Sequence, residues 1–397
     1  MSERKPSCVT GVDSIRPQKV RLVEVCKVNT TTPPAYEGEK PYVSTGAVIN
    51  SKIEDSQVEY WSYEERPSRA NLFPSKGDIL FAKMQGTRKT LLIDDLNFSA
   101  LYSTGFYALS PQTDKIDVRF LFHYLDSEAF LSAKDRECKG ATQKALNNAG
   151  LCKIRIPLPP LSLQQQIAAR LDRVCEIVTK RRTQLVQLQQ LVKSRFVEMF
   201  GDKRYPMVAV GDVFVVKGPK RIHKEEWTNY GVPFYRVSNF SDLLEGRETS
   251  SDTYISRQRF EALLSEGQVP KAGDVLVTAR GTLGRCYVVK KCDKFYFQDG
   301  MITWLTDRSE QITLPYFLQA AQSRAFKRQY DGKSSGTTVA YMTIGQLAKY
   351  KLPLPPLVLQ REFAAFVARV DKLAFAVRKS LGTAEKLYRQ QLAEAFS

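Results

Sequence analysis

Polar, glycine-containing loops are the parts of this sequence whose residue types could do chemistry, and they occur in matched pairs. Residues 83–89 read Lys-Met-Gln-Gly-Thr-Arg-Lys after a Gly-Asp-Ile-Leu pattern, and residues 280–285 read Arg-Gly-Thr-Leu-Gly-Arg after a Gly-Asp-Val-Leu pattern. Glycine lets backbone approach a phosphate, while Arg, Lys and Gln present donors to phosphates or base edges. The candidate DNA contacts in these loops are Lys83, Gln85, Thr87, Arg88, Lys89, Arg280, Thr282 and Arg285.

A second pair of polar loops follows later in each half of the chain. Residues 139–144 read Lys-Gly-Ala-Thr-Gln-Lys and residues 333–338 read Lys-Ser-Ser-Gly-Thr-Thr. Any one such loop is more often a solvated turn, but two loops recurring in both halves favour DNA binding. The further candidates are Lys139, Thr142, Gln143, Lys144, Lys333, Ser335, Thr337 and Thr338, with Lys217, Lys220 and Arg221 from a basic stretch and Arg236 from a β-type run.

The overall charge also favours a polyanionic partner. The 397 residues include 59 Lys and Arg against 42 Asp and Glu, a net charge of +17. Such an excess is typical of proteins that neutralise phosphates, although a merely soluble basic protein is the alternative. The seven cysteines form no Cys-x-x-Cys pair, and neither a secretory signal nor a long apolar run is evident. We therefore expect a cytoplasmic protein with reduced thiols.

Catalytic patterns are weak in this sequence. It has neither a Gly-x-x-x-x-Gly-Lys-[Ser/Thr] phosphate loop nor a Gly-x-Gly-x-x-Gly fingerprint, and its two histidines, His123 and His223, are far apart. The Thr-Pro-Pro-Ala-Tyr run at 32–36 lacks the amide or carboxylate of an amino-methyltransferase motif. Asp126, Glu137 and Lys139 have the spacing of a metal-dependent nuclease, but the second half of the chain does not repeat them. We expect a chain with no catalytic residues, no metal site and no cofactor of its own.

An internal duplication organises the whole sequence. Residues 140–200 align with residues 336–396 at an offset of 196 without a gap, and twenty of the 61 positions are identical. The match centres on Leu-Pro-Pro-Leu motifs at 158–161 and 354–357, and the two copies end in Glu-x-Phe at 198–200 and 394–396. A period of this length indicates a duplicated domain rather than a solenoid repeat. Because the copies agree at their ends and differ at their fronts, they suit a protein with two different targets.

Each proline motif precedes a predicted long helix. Apolar residues recur at steps of three and four over five heptads, as in a coiled coil, with Arg181 and Arg195 at two seam positions of the first copy. The first helix, from residue 162 to 200, would extend about 58 Å at ~1.5 Å per residue. The two helices most simply pack on each other, with packing on another protein as the alternative. The fronts are mixed and mostly β, and residues 314–330 are predicted to form one helix.

These features together resemble the specificity subunits of type I restriction–modification systems. The resemblance rests on the doubled Pro-Leu-Pro-Pro-Leu motif followed by Gln and a long helix, and on the Arg-Phe-Val-Glu-Met-Phe-Gly-Asp segment at 195–202. It extends over essentially the whole chain. It implies an α+β fold with two largely β target-recognition domains, joined by two antiparallel coiled-coil helices with pseudo-twofold symmetry. The implied segments are 1–156 and 203–352 for the recognition domains, and 157–202 and 353–397 for the proline motifs and spacer helices.

The resemblance also implies a function and partners. Each recognition domain would read one half of a split, asymmetric sequence in double-stranded DNA. Two modification subunits would methylate adenine with S-adenosylmethionine, and restriction subunits would translocate and cleave DNA with ATP and Mg²⁺. The alternatives are a methylation-only complex, a nuclease that uses Asp126, Glu137 and Lys139, and a structural coiled-coil adaptor.

Overall fold

The chain forms two compact units that each contain the globular part of one copy of the duplication. The computed structural model describes residues 18–201, 204–244, 249–298, 300–330 and 341–396. Unit 1 comprises residues 1–183 and 377–397, and unit 2 comprises residues 184–376. Each unit is therefore made of one globular part and segments of both long helices. The four-segment division expected from the sequence remains a prediction.

Unit 1 is a mixed α+β structure. Its strands are β1 (Lys19–Arg21), β2 (Cys26–Asn29), β3 (Lys40–Val43), β4 (Val48–Ile49), β5 (Lys52–Ile53), β6 (Glu59–Trp61), β7 (Ile79–Ala82), β8 (Thr90–Leu92), β9 (Leu101–Tyr102), β10 (Phe106–Pro111) and β11 (Arg155–Pro157). Its helices are α1 (Leu22–Val25), α2 (Val118–Leu125), α3 (Glu128–Glu137), α4 (Asn148–Leu151) and the first part of α5 (Leu161–Phe200), and Asp55–Gln57 forms one 3₁₀ turn.

The main sheet of unit 1 is antiparallel, in the order β2-β10-β7-β8. A distal sheet, β6-β3-β9, combines antiparallel and parallel pairing, and β1 pairs with β11 where the chain enters and leaves the globular part. Side chains of β7 are buried along its whole length because its two faces line different apolar clusters, one with α2 and α3 and one with the distal sheet. This burial explains the continuous apolar pattern Ile-Leu-Phe-Ala in the sequence.

Unit 2 repeats this plan. Its strands are β12 (Met207–Ala209), β13 (Val215–Lys217), β14 (Trp227–Thr228), β15 (Val232–Tyr235), β16 (Tyr254–Ile255), β17 (Val275–Thr278), β18 (Cys286–Val288), β19 (Tyr296–Phe297), β20 (Ile302–Thr306) and β21 (Lys351–Pro353). Its helices are α6 (Val210–Val213), α7 (Val237–Leu244), α8 (Arg257–Ser265), α9 (Leu314–Gln322), α10 (Arg324–Lys327), α11 (Ile344–Lys349) and the first part of α12 (Leu357–Phe396), and Lys224–Glu226 forms one 3₁₀ turn.

The strand order β13-β20-β17-β18 in unit 2 matches β2-β10-β7-β8 in unit 1 strand for strand. The parallel pair β15 and β19 likewise matches β3 and β9, and β12 with β21 matches β1 with β11. The duplication visible in the sequence is therefore confirmed at the level of topology. The antiparallel pair β15 and β16 also matches β3 and β6, and the distal sheets differ in that unit 2 adds a fourth strand, β14, beside β16.

One predicted helix is wrong. Residues 314–330 form two helices, α9 and α10, because Ser323 adopts an extended conformation and its hydroxyl accepts a hydrogen bond from the Phe326 backbone N–H. Ser127 separates α2 from α3 in the same way and accepts from the Phe130 N–H. Serine at such a position caps the following helix, so the identical Ser-x-x-Phe patterns mark two matched breaks. The β-type run 233–237 is also shorter than predicted, because a helix begins at Val237.

The predicted long helices are present and pack on each other within each unit. Helix α5 begins one residue before the predicted start, at Leu161. In unit 1, Arg170 pairs with Glu394 and Arg182 pairs with Glu385, so the helices run antiparallel there. The seam side chains Leu171, Val174 and Val178 of unit 1 are buried, as are Val192, Met199, Phe363 and Val370 in unit 2. Within the described ranges, none of the helices has the length and apolarity that crossing a membrane requires.

A buried glutamine after each proline motif fastens the long helix to the globular part of its own unit. The Gln164 amide accepts from the Asp117 N–H at 2.8 Å and donates to the carbonyls of Lys115 and Pro159. Gln360 makes the equivalent three bonds, to the Thr313 N–H and two carbonyls. Both side chains are almost fully buried, so an unpartnered amide would be costly there. The Gln of the doubled motif therefore has a structural role.

The aspartates of the two Gly-Asp patterns are also structural. The Asp78 carboxylate is 3 % exposed and accepts hydrogen bonds from the Ser75 N–H, the Asn29 amide and the Ser110 hydroxyl. These partners lie on or beside β2 and β10, so the carboxylate ties β7 to the neighbouring strands. Asp274 of unit 2 similarly accepts from a backbone N–H, the Trp304 indole and a threonine hydroxyl. Each aspartate fixes the strand that leads into a predicted binding loop.

Candidate nucleic-acid interface

In unit 1, the two loops predicted from the sequence lie side by side. The 83–89 loop connects β7 to β8, and the 139–145 loop follows α3. Met84 and Ala145 form an antiparallel bridge, and the Gln85 N–H donates to the Lys144 carbonyl at 2.9 Å. The Leu146 N–H donates to the Lys83 carbonyl at the same distance. Segments about sixty positions apart in sequence thus form one continuous polar surface.

The 139–145 loop is a tight turn that presents its polar residues to solvent. Lys139 and Ala145 exchange backbone hydrogen bonds at 3.0 Å and close the turn. Gly140 has a φ of +140°, and a Cβ there would lie 2.3 Å from the Gln143 carbonyl oxygen. Glycine is therefore required at this position. The candidate residues Lys139, Thr142, Gln143 and Lys144 are all exposed.

The cations of the 83–89 loop point instead toward partners inside unit 1. Lys83 Nζ donates to the Thr104 carbonyl at 2.8 Å and lies 4.4 Å from the centre of the Tyr107 ring, and burial lowers its pKa. Lys89 Nζ donates to the Thr45 carbonyl at 2.6 Å. The exposed side chains of this loop are those of Met84, Gln85 and Arg88, while Thr87 is half-buried.

Arg88 joins the loop to the helix pair of unit 1. Its guanidinium makes a two-pronged ion pair with Asp126 at the end of α2, with both N···O distances 3.2 Å. The Tyr388 hydroxyl, from α12, donates to the same carboxylate at 3.3 Å. Burial is the main cause that raises the pKa of Tyr388, with Asp126 adding to it, so the phenol stays protonated and able to donate. Arg88 is thus engaged in a polar contact that reaches α12.

A buried histidine continues this contact to α5. His123 is fully buried, with Nδ1 2.9 Å from the Tyr388 hydroxyl and Nε2 2.8 Å from the Asp172 carboxylate. Arg119 makes a bidentate ion pair with Asp172. Burial opposes ionisation of Asp172, but hydrogen bonds from His123 and Arg119 outweigh it and lower the pKa to about 2. His123 therefore packs between helices, where its ring joins α12 to α5.

Two charged residues that sequence reasoning missed hold the 83–89 loop from beneath. Lys134, in the last turn of α3, is 1 % exposed, and its Nζ donates to the carbonyls of Met84 at 2.9 Å and Thr87 at 2.6 Å. A third contact reaches the Ala82 carbonyl at 3.3 Å. Both Asp135 carboxylate oxygens lie 3.0 Å from the Gly86 N–H, which donates to them. Only the pairing of a loop with a distant helix reveals this role, so spacing in the sequence gave no signal for it.

Unit 2 places its first loop in the same surroundings. The matched strands enclose residues 279–285, a loop of the same length as 83–89. The Gly-Thr pair at 281–282 therefore lies one position earlier in its loop than the pair at 86–87 does. Arg280 forms a bridge with Tyr341, and the Met342 N–H donates to the Ala279 carbonyl at 2.9 Å. Arg280 and Thr282 are exposed. The second-loop candidates Lys333, Ser335, Thr337 and Thr338 lie outside the described residues.

The support beneath the 279–285 loop differs from that in unit 1. The Thr278 hydroxyl donates to the Thr282 carbonyl and accepts from the Arg285 N–H at 3.0 Å. Gly284 has a φ of +75°, and a Cβ there would lie 2.4 Å from the Tyr330 hydroxyl oxygen. Tyr330 occupies the position that Lys134 holds in unit 1, at the offset of 196 residues. Contact between Tyr330 and Gly284 in unit 2 therefore replaces the hydrogen bonds from Lys134 to three carbonyl oxygens in unit 1.

The remaining basic candidates of unit 2 have intramolecular partners. Lys217 Nζ lies 3.9 Å from the centre of the Trp304 ring, and Lys220 makes an ion pair with Glu266 at 2.8 Å. Arg236 lies over the Trp227 ring and reaches the Thr253 hydroxyl. Arg221 is also engaged by an intramolecular interaction. These contacts position the cations at the surface of unit 2, and none of the described contacts joins them to the 279–285 loop.

The charge of one turn, which was not among the candidates from the sequence, is negative in unit 1 and positive in unit 2. Residues 94–98 of unit 1 read Asp-Asp-Leu-Asn-Phe, whereas the matched residues 290–294 of unit 2 read Lys-Lys-Cys-Asp-Lys. Lys290, Lys291 and Lys294 are exposed beside an apolar depression that includes Phe260 and Val269. Comparing charge at the offset of 196 residues would have found this difference. It adds a basic surface to unit 2 that unit 1 lacks.

The residues with nuclease-like spacing have separate partners. Asp126 pairs with Arg88, Glu137 pairs with Lys153 at 3.3 Å, and Lys139 lies in the exposed turn. Among the described residues, no group of three or more His, Cys, Asp and Glu side chains is placed to hold a metal ion. The geometry therefore presents a surface of two paired polar loops in unit 1, and a hairpin loop with the matched backbone pairing in unit 2, on a duplicated α+β scaffold.

Comparison with known proteins defines the class of this duplicated scaffold. A Haemophilus influenzae protein whose name describes it as a type I restriction enzyme specificity subunit is 28 % identical over 278 residues, which cover 68 % of each chain. The EcoBI specificity subunit of Escherichia coli is 23 % identical, with 95 % of this chain and 78 % of that one covered. The crystal structure of the type I restriction–modification S subunit from M. genitalium has a TM-score of 0.54 at 15 % identity and covers 97 % of both chains, which supports the fold.

The family model described as the type I restriction modification DNA specificity domain matches twice, at residues 17–189 and 203–382. The chain therefore belongs to the family of type I restriction–modification specificity subunits. The two matches coincide with the two copies of the duplication.

Proposed function

We propose that this chain selects the DNA sequence on which a type I restriction–modification complex acts, with each unit reading one half of a split, asymmetric target. The observation that carries the proposal is that, in both units, the hairpin loop after the Gly-Asp strand pairs at the same position with a segment later in the chain. Met84 pairs with Ala145 in unit 1, and Arg280 pairs with Tyr341 in unit 2. Two like surfaces with different side chains, on a chain of net charge +17, suit two different half-sites.

Within each surface we assign different roles to the candidate residues. Gln85, Gln143 and Lys144 in unit 1 are exposed at the meeting of the loops, and they supply base or phosphate contacts. Arg280 and Thr282 take this role in unit 2. Lys83, Arg88 and Lys89 make intramolecular contacts and mainly shape the loop, adding positive potential near the DNA backbone.

The chemistry belongs to partner subunits in this proposal. Two modification subunits methylate adenine with S-adenosylmethionine, and restriction subunits cleave DNA with ATP and Mg²⁺. This chain, without catalytic residues, contributes recognition and acts in the cytoplasm beside the DNA. Support comes from the family membership of the whole chain and from the absence of a phosphate-loop motif in its sequence.

Matched apolar positions on the long helices support a doubled partner surface. In unit 1 the Arg170–Glu394 ion pair sets the register, and one heptad further along each helix stand Ile177 and Leu387. Both side chains are more than 40 % exposed. Their counterparts at the offset of 196 residues, Leu373 and Leu191, belong to unit 2 and are equally exposed. Each unit therefore offers one aliphatic residue from each helix to one modification subunit.

The partner surface is tested by co-purification with the modification subunit. Ile177→Asp with Leu387→Asp is expected to lower the amount bound to about one modification subunit per chain, because one of two equivalent surfaces is lost. Val186→Asp, at another exposed position of α5, is the matched control. Full binding of two modification subunits by the double variant would refute this surface.

The main experiment is methylome sequencing of a host that expresses this chain with its modification subunit, compared with a host lacking the chain. A split adenine-methylated sequence is expected only when the chain is present. Arg280→Ala with Thr282→Ala is expected to relax one half of that sequence, and Gln85→Ala with Lys144→Ala the other half. Unchanged methylation on removal of the chain would overturn the proposal.

Two alternatives are distinguished in the same preparations. A methylation-only assembly would co-purify with the modification subunit and never with a restriction subunit. A nuclease would cut DNA with Mg²⁺ as the purified single chain and lose that activity on Glu137→Ala, and such a result would replace the recognition proposal.

A further inference from the structure

Lys134 and Asp135, beneath the 83–89 loop, bind the backbone of that loop through several hydrogen bonds. A lysine ammonium has three N–H donors, and Lys134 directs its Nζ to three carbonyl oxygens, those of Ala82, Met84 and Thr87. The neighbouring Asp135 accepts the Gly86 N–H with both carboxylate oxygens. One turn of α3 therefore binds the carbonyls and an amide of a single short loop.

Burial makes this arrangement unlike an ordinary surface turn. Carbonyls of a solvated loop bind water at little cost, whereas a lysine that is 1 % exposed has given up the hydration of its charge. Such a cost is offset only when every donor has a good acceptor, as here. Hydrogen bonds consequently fix the loop backbone at three positions, Met84, Gly86 and Thr87.

The 83–89 loop in turn sets the position of the exposed 139–145 loop. The Gln85 N–H donates to the Lys144 carbonyl, and the Leu146 N–H donates to the Lys83 carbonyl. Displacement of the 83–89 loop would therefore displace Gln143 and Lys144 with it. Nothing in this chain of contacts requires Lys134 or Asp135 to reach DNA.

We propose that Lys134 and Asp135 are positioning residues for sequence recognition by unit 1: they hold the 83–89 and 139–145 loops in the shape that reads one half-site. This inference rests on the function proposed above, in which unit 1 reads one half of the DNA target. Because a well-placed polar contact discriminates between bases by about tenfold or more, a small loss of loop order is expected to appear as lost discrimination.

Unit 2 provides an internal reference for this role. Tyr330 stands at the position of Lys134 and lies beneath Gly284, so among the described residues an aromatic ring takes the place of the buried lysine. A change at Lys134 should therefore affect the half-site of unit 1 and leave that of unit 2 unaltered.

The experiment uses the complex of full-length chain and modification subunit on DNA carrying the split sequence found by methylome sequencing. Lys134→Met keeps the length of the side chain and removes its three donors. We expect methylation at sites mismatched in the half read by unit 1 to rise about tenfold relative to the matched site. Discrimination in the other half should change less than twofold. Hydrogen exchange should accelerate at least tenfold in a peptide spanning residues 83–89.

Controls separate positioning from simple loss of structure. Lys153→Met removes an exposed lysine of the same unit and should change neither measurement. If Lys134→Met does not fold, Asp135→Ala should give the same one-sided loss, because it removes the acceptor for the Gly86 N–H and the 3.8 Å ion pair with Lys134 while leaving the lysine donors in place. Equal loss of discrimination in both halves, or faster loop exchange with unchanged discrimination, would overturn the positioning role. A wild-type complex that methylates no split sequence would instead refute the proposed function itself.

Discussion

Unit 1 and unit 2 have the same strand order in their main sheets and the same backbone pairing of their hairpin loops, but different side chains support those loops. Unit 1 uses a chain of polar contacts from Arg88 through Asp126 and Tyr388 to His123 and Asp172. The positions matched to the last four are Gln322, Val192, Gln319 and Ala368, so unit 2 cannot build that chain.

Unit 2 instead packs more aromatic rings along its helix pair, since Phe196 and Phe363 match Leu392 and Ile167 of unit 1. Phe196, Phe200, Tyr316 and Phe363 lie with ring centres 5.0–5.7 Å apart along the contacts that join them. Apolar packing tolerates changes in volume poorly but is indifferent to pH, whereas ion pairs respond to both pH and salt. After duplication, the elements that form the backbone frame stayed alike while the support beneath each loop diverged. Different support is what two loops of different shape require.

The largest expected effect tests the part of the frame that the units share. Phe396 packs on Phe120 and Tyr124 in unit 1, and Phe200 packs on Tyr316 and Phe363 in unit 2. Phe396→Ala and Phe200→Ala should each cost about 3–5 kcal/mol in the unit that contains the ring, because both are almost fully buried.

Hydrogen exchange resolved by peptide measures this loss separately in each unit. The two rings have equivalent roles if each variant lowers the stability of its own unit to a similar degree and changes the stability of the other unit by less than about 0.5 kcal/mol. A variant that loosens both units equally would show that the matched rings do not act locally. Val197→Ala, at an exposed position of α5, is a suitable control.

Much of this frame could be predicted from the sequence, for reasons visible in particular residues. The long helices follow local periodicity, and the glutamine after each proline motif was identical in both copies. The adjacency of Met84 and Ala145 could not be predicted, because it depends on the path of the chain between them. For the same reason, the sequence suggested Lys83, Arg88 and Lys89 as contacts without revealing that Thr104, Asp126 and Thr45 engage them.

A smaller effect is expected from acid, and it should distinguish the units. The pKa of Asp172 is lowered to about 2 in the folded chain, against about 3.9 in an unfolded one. A lowered pKa contributes stability that is complete above pH 4 and is lost as the pH falls toward 2. Since Asp172 is one-third exposed, solvent screening reduces the contribution to about 1–2 kcal/mol.

Urea unfolding of each unit at pH 5 and pH 3 measures this contribution. Unit 1 should lose more stability than unit 2 over this interval, and Asp172→Asn should remove that difference while lowering stability at pH 5. Ala368→Gly at the matched position of unit 2 should leave the dependence on pH unchanged. An identical pH dependence in wild type and Asp172→Asn would mean that the carboxylate contributes nothing through its ionisation.

The smallest expected effect concerns the surface of the helix pair. Arg182 and Glu385 form an ion pair at 2.7 Å in unit 1. At the offset of 196 residues Arg378 matches Arg182 and Gln189 matches Glu385, so the sequence does not repeat the acid, and Arg378 itself belongs to unit 1. Arg182→Gln should lower the stability of unit 1 by less than about 1 kcal/mol, because both side chains are partly exposed and their attraction is screened. The loss should shrink further in 0.5 M salt, while Arg378→Gln should have no comparable salt dependence. If Arg182→Gln costs as much as the ring truncations, surface charge rather than buried packing would be the main source of helix pairing in unit 1.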